Sequence, residues 1–243
     1  MSLQVEIAVT SEAGAALARV AGADRVELCT GLELGGLTPS AGLVRLAVDT
    51  GAEVHVLVRP RAGDFVHLPH EIAQVEADLV WLADQDEVDG VVIGALTEDD
   101  QVDLALLTRW TGLVRDLAPD LQVTVHRAVD HAADPVAAVD AVADLADRVL
   151  TSGGAPRVAD GMAALARMVE VTRGRCQVMA GGGLQIEDIP RLAGIGVDAV
   201  HLSAKAVLPG RGGVPLGAGD DGSWWAIDPA VVLAAVEAAR ATG

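Results

Sequence analysis

The stretch DRVELC, residues 24–29, decides the fold, because its apolar side chains alternate in the two-residue period of a β-strand. Its opening, Asp followed by one residue and then Val, recurs at residues 89–91, 147–149 and 198–200. Each opening begins another short apolar run, and an Ala/Leu-rich helical pattern follows. The chain is therefore predicted to repeat a strand–helix unit.

Eight such runs alternate with helical patterns, which predicts a parallel sheet, and eight strands are the number that closes a barrel. The runs are Val5 to Val9, Arg25 to Cys29, Val54 to Arg59, Gly90 to Leu96, Val123 to Val129, Arg148 to Ser152, Gln177 to Gly181 and Ala199 to Ala204. We predict one α/β domain over residues 1–243, a single (β/α)8 TIM barrel with outer helices. The weaker alternative is an open doubly wound sheet, which lacks a Rossmann fingerprint here. The four aspartates open the even-numbered strands, and we interpret them as turn residues at the barrel bottom.

The composition excludes several classes of partner. The 243 residues carry a net charge of −18, which repels phosphate backbones and anionic headgroups, so neither a nucleic-acid nor a membrane partner is expected. The strand pattern begins at Leu3 without a preceding signal-peptide pattern. Cys29 and Cys176 lie outside any CxxC spacing, which predicts a cytoplasmic protein rather than a disulfide scaffold.

Two segments interrupt the repeat. Pro60 to Pro69 is a long loop after the third strand, and we interpret it as an active-site loop. Residues 207–225 are rich in Gly and Pro and include Asp220, Asp221 and the pair Trp224-Trp225. We predict an irregular surface segment or subunit contact there, and no second domain.

Strand alternation places a set of polar side chains inside the barrel. The set is Glu6, Glu27, Cys29, His55, Arg59, Arg61, Thr124, His126, Ser152, His201 and Ser203. Most lie near the carboxyl ends of strands, where TIM barrels carry their sites. The structural alternative is a buried ion-pair network, for example Glu27 with Arg59, that only braces the barrel. We favour a site overall, but bracing for Glu6 and His55.

Glycines after the later strands suggest an anion site. Gly153-Gly154 follows the sixth strand and Gly181-Gly182-Gly183 the seventh, while Ser203 and Lys205 follow the eighth. Backbone amides in these loops bind phosphate in many barrels, although glycine also serves any tight turn.

Several strings resemble the CutC family, which carries the label of copper homeostasis. They are residues 24–29 (DRVELC), 35–40 (GGLTPS), 59–61 (RPR) with 63–65 (GDF), 124–128 (TVHRA) with Asp130, and 148–153 (RVLTSG). The resemblance covers roughly residues 3 to 205. It implies a cytoplasmic TIM-barrel protein that is linked to copper and forms a homo-oligomer. We expect this oligomer to be a dimer.

The chain departs from the family pattern at positions that matter for copper. Ala8 stands where the family commonly has Cys, Ala62 and His67 replace Gly and Tyr, and Val129 replaces Phe. Cu(I) prefers thiolate and thioether ligands, and only Cys29 remains of a possible thiol pair.

The first functional hypothesis is copper binding or trafficking, with Cys29, His126 and His201 as candidate ligands. The alternative for Cys29 is a small buried apolar residue. No ligand spacing in the sequence demands a metal.

The second hypothesis is an enzyme acting on a small phosphorylated or carboxylate substrate. Arg59 and Arg61 would clamp the anion, and Glu27 and His126 would act as general base and acid. Asp130 would orient His126 or Arg127. Further substrate-binding candidates are Arg127, Ser152, Gly182, Gly183 and Ser203. A third possibility is a structural role in which Trp224-Trp225 anchors a subunit interface.

Overall fold

The first eight strands close into a parallel barrel in sequence order, which confirms the predicted fold. The computed structural model describes residues 3–212, 214 and 222–243. The barrel strands are β1 (Gln4–Val9), β2 (Arg25–Leu28), β3 (Val54–Leu57), β4 (Gly90–Ile93), β5 (Gln122–Val125), β6 (Arg148–Thr151), β7 (Gln177–Gly181) and β8 (Ala199–Leu202). Closure pairs β1 with β8, so that Glu6 lies opposite His201.

Several strands end before their apolar runs do. The run predicted to Val129 pairs only as far as Val125, because the backbone turns at His126 into a short 3-10 helix, Arg127–His131. Ala128 and Val129 are nevertheless buried. Alternation along the sequence indicates burial, whereas a strand also needs a hydrogen-bonded neighbour, and past Val125 the neighbour is lost.

Eight α-helices surround the barrel in the described ranges. They are α1 (Glu12–Val20), α2 (Ala41–Val48), α3 (Pro69–Ala83), α4 (Leu104–Leu117), α5 (Pro135–Val142), α6 (Met162–Thr172), α7 (Ile189–Gly194) and α8 (Pro229–Arg240). Ser11, Ser40 and Asp103 cap α1, α2 and α4 by accepting a first-turn N–H. Such caps set where each loop at the barrel mouth ends. None of these described helices is long and apolar enough to cross a membrane.

The two faces of each strand pack against different surroundings, as the alternation predicts. The large core between sheet and helices takes valines such as Val26, Val54 and Val123. Two small apolar clusters fill part of the barrel interior. They are Cys29 with Leu57 and Val92, and Leu150 with Met179 and Ala199. The barrel also buries charged and polar side chains, among them Glu6, Arg25 and His55.

The four recurrent aspartates hold the lower rim of the barrel, as interpreted from the sequence. Asp24 accepts a hydrogen bond from the Val5 N–H at 2.7 Å and donates its own N–H to the Val5 carbonyl. The same two bonds join the other aspartates to a valine of the preceding strand. Those pairs are Asp89 with Val54, Asp147 with Val123, and Asp198 with Val178. The repeat is therefore a clamp between odd and even strands, far from the mouth.

The segment predicted to be irregular at 207–225 is partly regular. Its ends belong to β9 (Lys205–Leu208) and β10 (Trp224–Ile227), which pair as an antiparallel hairpin beside the barrel. Glycine and proline content masked this pairing in the sequence, because the apolar runs are only four residues long. Asp220 and Asp221 lie outside the described residues.

Candidate functional site

A cavity of about 570 Å³ opens at the carboxyl ends of the barrel strands, and we call it the mouth cavity. Its polar lining comes from loops and strand ends on several sides of the barrel. That lining includes Glu27, Arg59, His126, Arg127, Gly182, Gly183, Gln185, His201, Ser203 and Lys205. Five of the eleven side chains that alternation predicted to face the interior therefore line this cavity: Glu27, Arg59, His126, His201 and Ser203.

Glu6, His201 and Glu27 form a connected group at the floor of the mouth cavity. His201 Nδ1 lies 2.7 Å from Glu6 Oε1, and its Nε2 lies 3.9 Å from Glu27 Oε2. Beneath them, Arg25 donates from Nε to Glu6 Oε2 at 2.8 Å. Glu6 thus ties together an arginine and a histidine, and Glu27 stands on the cavity side of the imidazole.

The charges in this group oppose one another. Burial and the nearby Glu6 raise the pKa of Glu27 to about 7, against the lowering effect of His201. Burial would also raise the pKa of Glu6, but the hydrogen bond to His201 and the charges of His201 and Arg25 outweigh burial and lower it. Burial opposes the charge on His201, yet Glu27 and Glu6 together raise its pKa. Glu6 is therefore the ionised anchor, and Glu27 exchanges its proton more readily.

Arg59 does not pair with Glu27, so the bracing pair suggested from the sequence is wrong. Its Nη1 donates to the carbonyls of Leu34 and Gly36, and its Nη2 donates to Gly63. These carbonyls hold the guanidinium without neutralising it. Burial, together with the charge of Arg61, lowers the pKa of Arg59. A positive charge therefore lies in the cavity wall, and no carboxylate of the described residues is among its hydrogen-bond partners.

Arg61 does not reach the mouth cavity, although strand alternation predicted an inward side chain. It binds Glu71 at 2.5 Å and Asp64 at 2.9 Å, and it also donates to the carbonyl of Val66. The reason is that β3 ends at Leu57, so alternation no longer applies four residues later. Arg61 instead shapes the long loop after β3. That loop places Phe65 in the cavity lining.

His126 lies in the cavity wall as a neutral ring. Burial, with a smaller effect from Arg59, lowers its pKa to about 3. Its Nδ1 accepts the N–H of Ala128 at 3.1 Å, and Phe65 packs on the ring at a centroid distance of 5.0 Å. A ring that is neutral near pH 7 holds no imidazolium proton, and its role as a general acid stays a prediction from the sequence. Because Nδ1 accepts from the Ala128 N–H, the neutral ring carries its proton on Nε2 and can donate a hydrogen bond to a ligand.

Asp130 organises the neighbouring loop rather than orienting His126. Its carboxylate accepts hydrogen bonds from Arg127 Nε at 2.7 Å and Thr151 Oγ1 at 2.5 Å. The backbone amides of Ser152 and Gly154 also donate to it. All its acceptor positions are therefore occupied, which leaves it no free capacity for proton transfer. The prediction that it orients Arg127 agrees with this geometry.

Ser152 and the first glycine pair are used within the same loop. The Ser152 hydroxyl accepts from Arg127 Nη2 at 2.9 Å and is within 2.6 Å of the Ala155 carbonyl. It is fully buried and lies outside the cavity lining. Gly153 donates its N–H to Thr151 Oγ1. The backbone amides after β6 therefore bond within their own loop, whereas the glycines after β7 line the cavity.

Gly182 and Gly183 do line the mouth cavity, and both have positive φ, 108° and 61°. A Cβ on Gly182 would lie 2.8 Å from the Arg127 guanidinium carbon, so only glycine lets Arg127 lie across this loop. Ser203 follows β8 and Lys205 is the first residue of β9, and both line the cavity. The Lys205 ammonium lies 3.2 Å from the centroid of the Trp225 ring, which links the hairpin to the cavity.

The structure does not assemble the predicted metal ligands Cys29, His126 and His201. Cys29 is completely buried in an interior apolar cluster and is absent from the cavity lining. Burial raises the pKa of its thiol, so the thiolate form that binds copper is disfavoured. Within the described residues, one group brings three donor atoms within 4.8 Å of one another: Glu6, Glu27 and His201. Its oxygen and nitrogen donors do not suit Cu(I).

Comparison with known proteins settles the family. The model described as CutC family matches residues 3–206 of the chain. The chain belongs to the CutC family. It is 40% identical over 205 residues to the human copper homeostasis protein cutC homolog, covering 83% of this chain and 73% of that one. It is 37% identical to family protein CutC of Aliivibrio fischeri, covering 90% and 91%.

A solved structure agrees with this assignment. The crystal structure described as the putative copper homeostasis protein CutC from Streptococcus agalactiae superposes with a TM-score of 0.73 at 27% identity. It covers 84% of this chain and 99% of that chain. The family match ends at residue 206, so most of the β9–β10 hairpin lies beyond the matched region of this CutC-family chain.

Sequence reasoning missed two glycines that make room for histidines. A Cβ on Gly90 of β4, or on Gly94 just past its end, would collide with the rings of His55 and His126 respectively. The signal was available: two glycines at even spacing in a strand indicate close approach of another group. Phe65 was also missed, because its loop position carries no periodicity.

Proposed function

We propose that this CutC-family protein binds a small anionic molecule in the mouth cavity and acts on it by acid–base chemistry. The observation that carries the proposal is the buried charge of Arg59, which has carbonyl partners and no carboxylate among its hydrogen bonds. A buried cation of this kind is stabilised by an anion brought into the cavity. The substrate class is a phosphorylated or carboxylated metabolite.

The other cations support the same ligand chemistry. Arg127 and Lys205 also line the cavity, and Arg127 in addition donates a hydrogen bond to Asp130. The backbone at Gly182 and Gly183 adds a wall without side chains, where a phosphate or carboxylate can approach closely. A volume of about 570 Å³ lies within the range typical of small-molecule sites. The overall net charge of −18 does not oppose this, because the field inside a cavity is set by the groups nearest to it.

A direct binding experiment tests the proposal with sulfate and inorganic phosphate as probes. Isothermal titration of the wild type is compared with Arg59→Gln, Lys205→Gln and the control Arg109→Gln. Arg109 pairs with Glu76 on the surface, with 64% of its side chain exposed, and it is not among the residues that line the cavity. Loss of one charge-assisted hydrogen bond predicts about 10-fold weaker binding or more in the cavity variants.

Two results would contradict the anion proposal. One is the absence of saturable binding of either probe to the wild type. The other is equal affinity in all four proteins, which would place the bound anion outside the cavity. Because Arg59 also holds loop carbonyls, Lys205→Gln provides an independent test that leaves those contacts intact.

The second candidate is a role in copper homeostasis, and the relatives' names favour it. The human relative and the Streptococcus agalactiae structure both carry that description. The donor chemistry of the cavity does not favour Cu(I), because the cavity offers carboxylates and imidazoles beside cations. A Cu(I) competition titration against a colorimetric chelator, with reduced wild type and Cys29→Ser, separates the two. Stoichiometric binding that needs Cys29 supports copper, whereas failure to compete in both proteins removes it.

A further inference from the structure

The side chain of Glu27 is unusual within the mouth cavity. Only 7% of the residue is exposed, it lines the cavity, and among the described residues no hydrogen-bond donor reaches its carboxylate. A buried carboxylate without a donor is costly unless it takes up a proton or meets a ligand that supplies one. The 3.9 Å between His201 Nε2 and Glu27 Oε2 is too long for a hydrogen bond, and both residues line the cavity, so each can bond to a ligand there.

His201 is the group best placed to exchange a proton with the same ligand. Its Nδ1 faces Glu6 at 2.7 Å, and that carboxylate fixes the ring so that Nε2 points toward Glu27 and the cavity. Glu6 is held in turn by Arg25. The register of the barrel supports this arrangement, because Glu6 and His201 are direct neighbours across the closing strand pair.

We propose that Glu27 and His201 are the two proton-exchanging residues of the cavity, and that Glu6 and Arg25 are positioning residues for His201. This inference rests on the proposed binding of an anion, and it replaces His126 by His201 as the partner of Glu27. The cavity then takes up its anionic ligand together with a proton, which Glu27 and His201 share.

The pair is suited to moving a proton between the neighbouring carbons of an anionic α-hydroxy carbonyl compound. The Glu27 carboxylate removes a proton from the carbon beside the carbonyl, while protonated His201 gives its Nε2 proton to the carbonyl oxygen. The resulting enediol has gained one proton and lost one. Glu27 then returns its proton to the former carbonyl carbon, while His201 recovers a proton from the hydroxyl on the carbon first deprotonated. A new carbonyl forms there, which completes an isomerisation that needs no oxidant or reductant.

The charged and titratable groups around Glu27 and His201 determine how strongly the pair binds protons. Glu6 from β1 and Arg127 after β5 act on His201, while Glu6 and His201 act on Glu27. Below the pair, Arg25 is bonded to Glu6. An anion bound beside Arg59 adds negative charge to the cavity, so it strengthens proton binding by the pair.

Sulfate titrations test this coupling, because sulfate itself does not change protonation near pH 7. Calorimetry at pH 7 in two buffers with different ionisation enthalpies measures the protons taken up per sulfate bound. We expect uptake of a fraction of one proton by the wild type and by the control Glu33→Gln, an exposed carboxylate outside the cavity lining. We expect uptake to fall to near zero in Glu27→Gln, with sulfate affinity at pH 8 equal to or above that of the wild type.

The outcomes separate this inference from the proposed function. Sulfate that binds without proton uptake overturns the shared-proton pair and leaves the anion site standing. If sulfate does not bind, the proposed anion site is wrong. Nitrogen-15 NMR of the imidazole rings then tests separately whether Glu27 and His201 are coupled. In that measurement the titration midpoint of His201 should fall by about one pH unit or more in Glu27→Gln, whereas an unchanged midpoint overturns the inference.

Discussion

Replacing Gly94 by alanine tests whether the position of the His126 ring requires a residue without a side chain at position 94. Gly94 lies just past the end of β4, on its interior side. An added Cβ would lie 2.9 Å from His126 Nε2 and still closer to Cε1 and Nδ1. Non-bonded heavy atoms favour separations of about 3.5–4.0 Å, so the ring would have to withdraw.

The magnitude follows from what holds the ring in place. Forcing an extra methyl group into a packed interior costs about 1–3 kcal/mol. Withdrawal also lengthens the 3.1 Å hydrogen bond from the Ala128 N–H to Nδ1, and losing such a bond costs about 1 kcal/mol. We therefore expect Gly94→Ala to lower the free energy of unfolding by about 2–4 kcal/mol.

Urea unfolding followed by circular dichroism measures this change, and Gly112→Ala is the matched control. Gly112 lies within α4, and a Cβ there meets no atom within 4 Å. Alanine favours a helix over glycine by about 1 kcal/mol, so the control should be neutral or stabilised. The same chemical change thus has opposite expected signs at the two positions.

A double variant isolates the cause. In a His126→Ala background the ring is gone, so adding Gly94→Ala should cost little further stability. If Gly94→Ala is as stable as the wild type, or costs as much without the ring as with it, the packing argument is refuted.

Three further predictions concern the clamp, the buried carboxylate and the thiols. Asp147→Ala removes the acceptor of the Val123 N–H at 2.8 Å and should cost about 1–3 kcal/mol in urea unfolding, whereas no loss would show that the clamp is dispensable. Burial raises the pKa of Glu27 from 4.5 to about 7, so the folded protein binds a proton that the unfolded chain releases between these pH values. Protonated Glu27 therefore contributes up to about 3 kcal/mol to the free energy of unfolding. This stabilisation is fully present below pH 4.5 and is lost as the pH rises through 7. Glu27→Gln should therefore gain stability relative to the wild type from pH 5 to pH 8, and a constant difference across that range would contradict the assignment. Burial also raises the pKa of both thiols, that of Cys176 to about 11, so native protein at pH 8 should react with iodoacetamide far more slowly at Cys29 and Cys176 than unfolded protein, as mass spectrometry can measure.

The sequence by itself determined the barrel and the inward set of side chains. Eight apolar runs with helical patterns between them predict a closed parallel sheet, and alternation within a strand is a local property that needs no knowledge of the neighbours. Glu27 and His201 were therefore placed on the interior correctly, while Val26 and Val200 were placed against the helices. The aspartates of the lower rim were also recognisable, because their spacing repeats.

Only the tertiary structure decided which interior side chains meet. Glu6 and His201 are 195 residues apart and become neighbours because closure pairs β1 with β8 in one register. Alternation stops where a strand ends, so it could not show that Arg61 turns away to Glu71. Nor could it show that Arg59 takes carbonyls instead of Glu27, since hydrogen bonds to loop backbone depend on the folded path of the loop. Local patterns fix the direction of a side chain, and long-range packing chooses its partner.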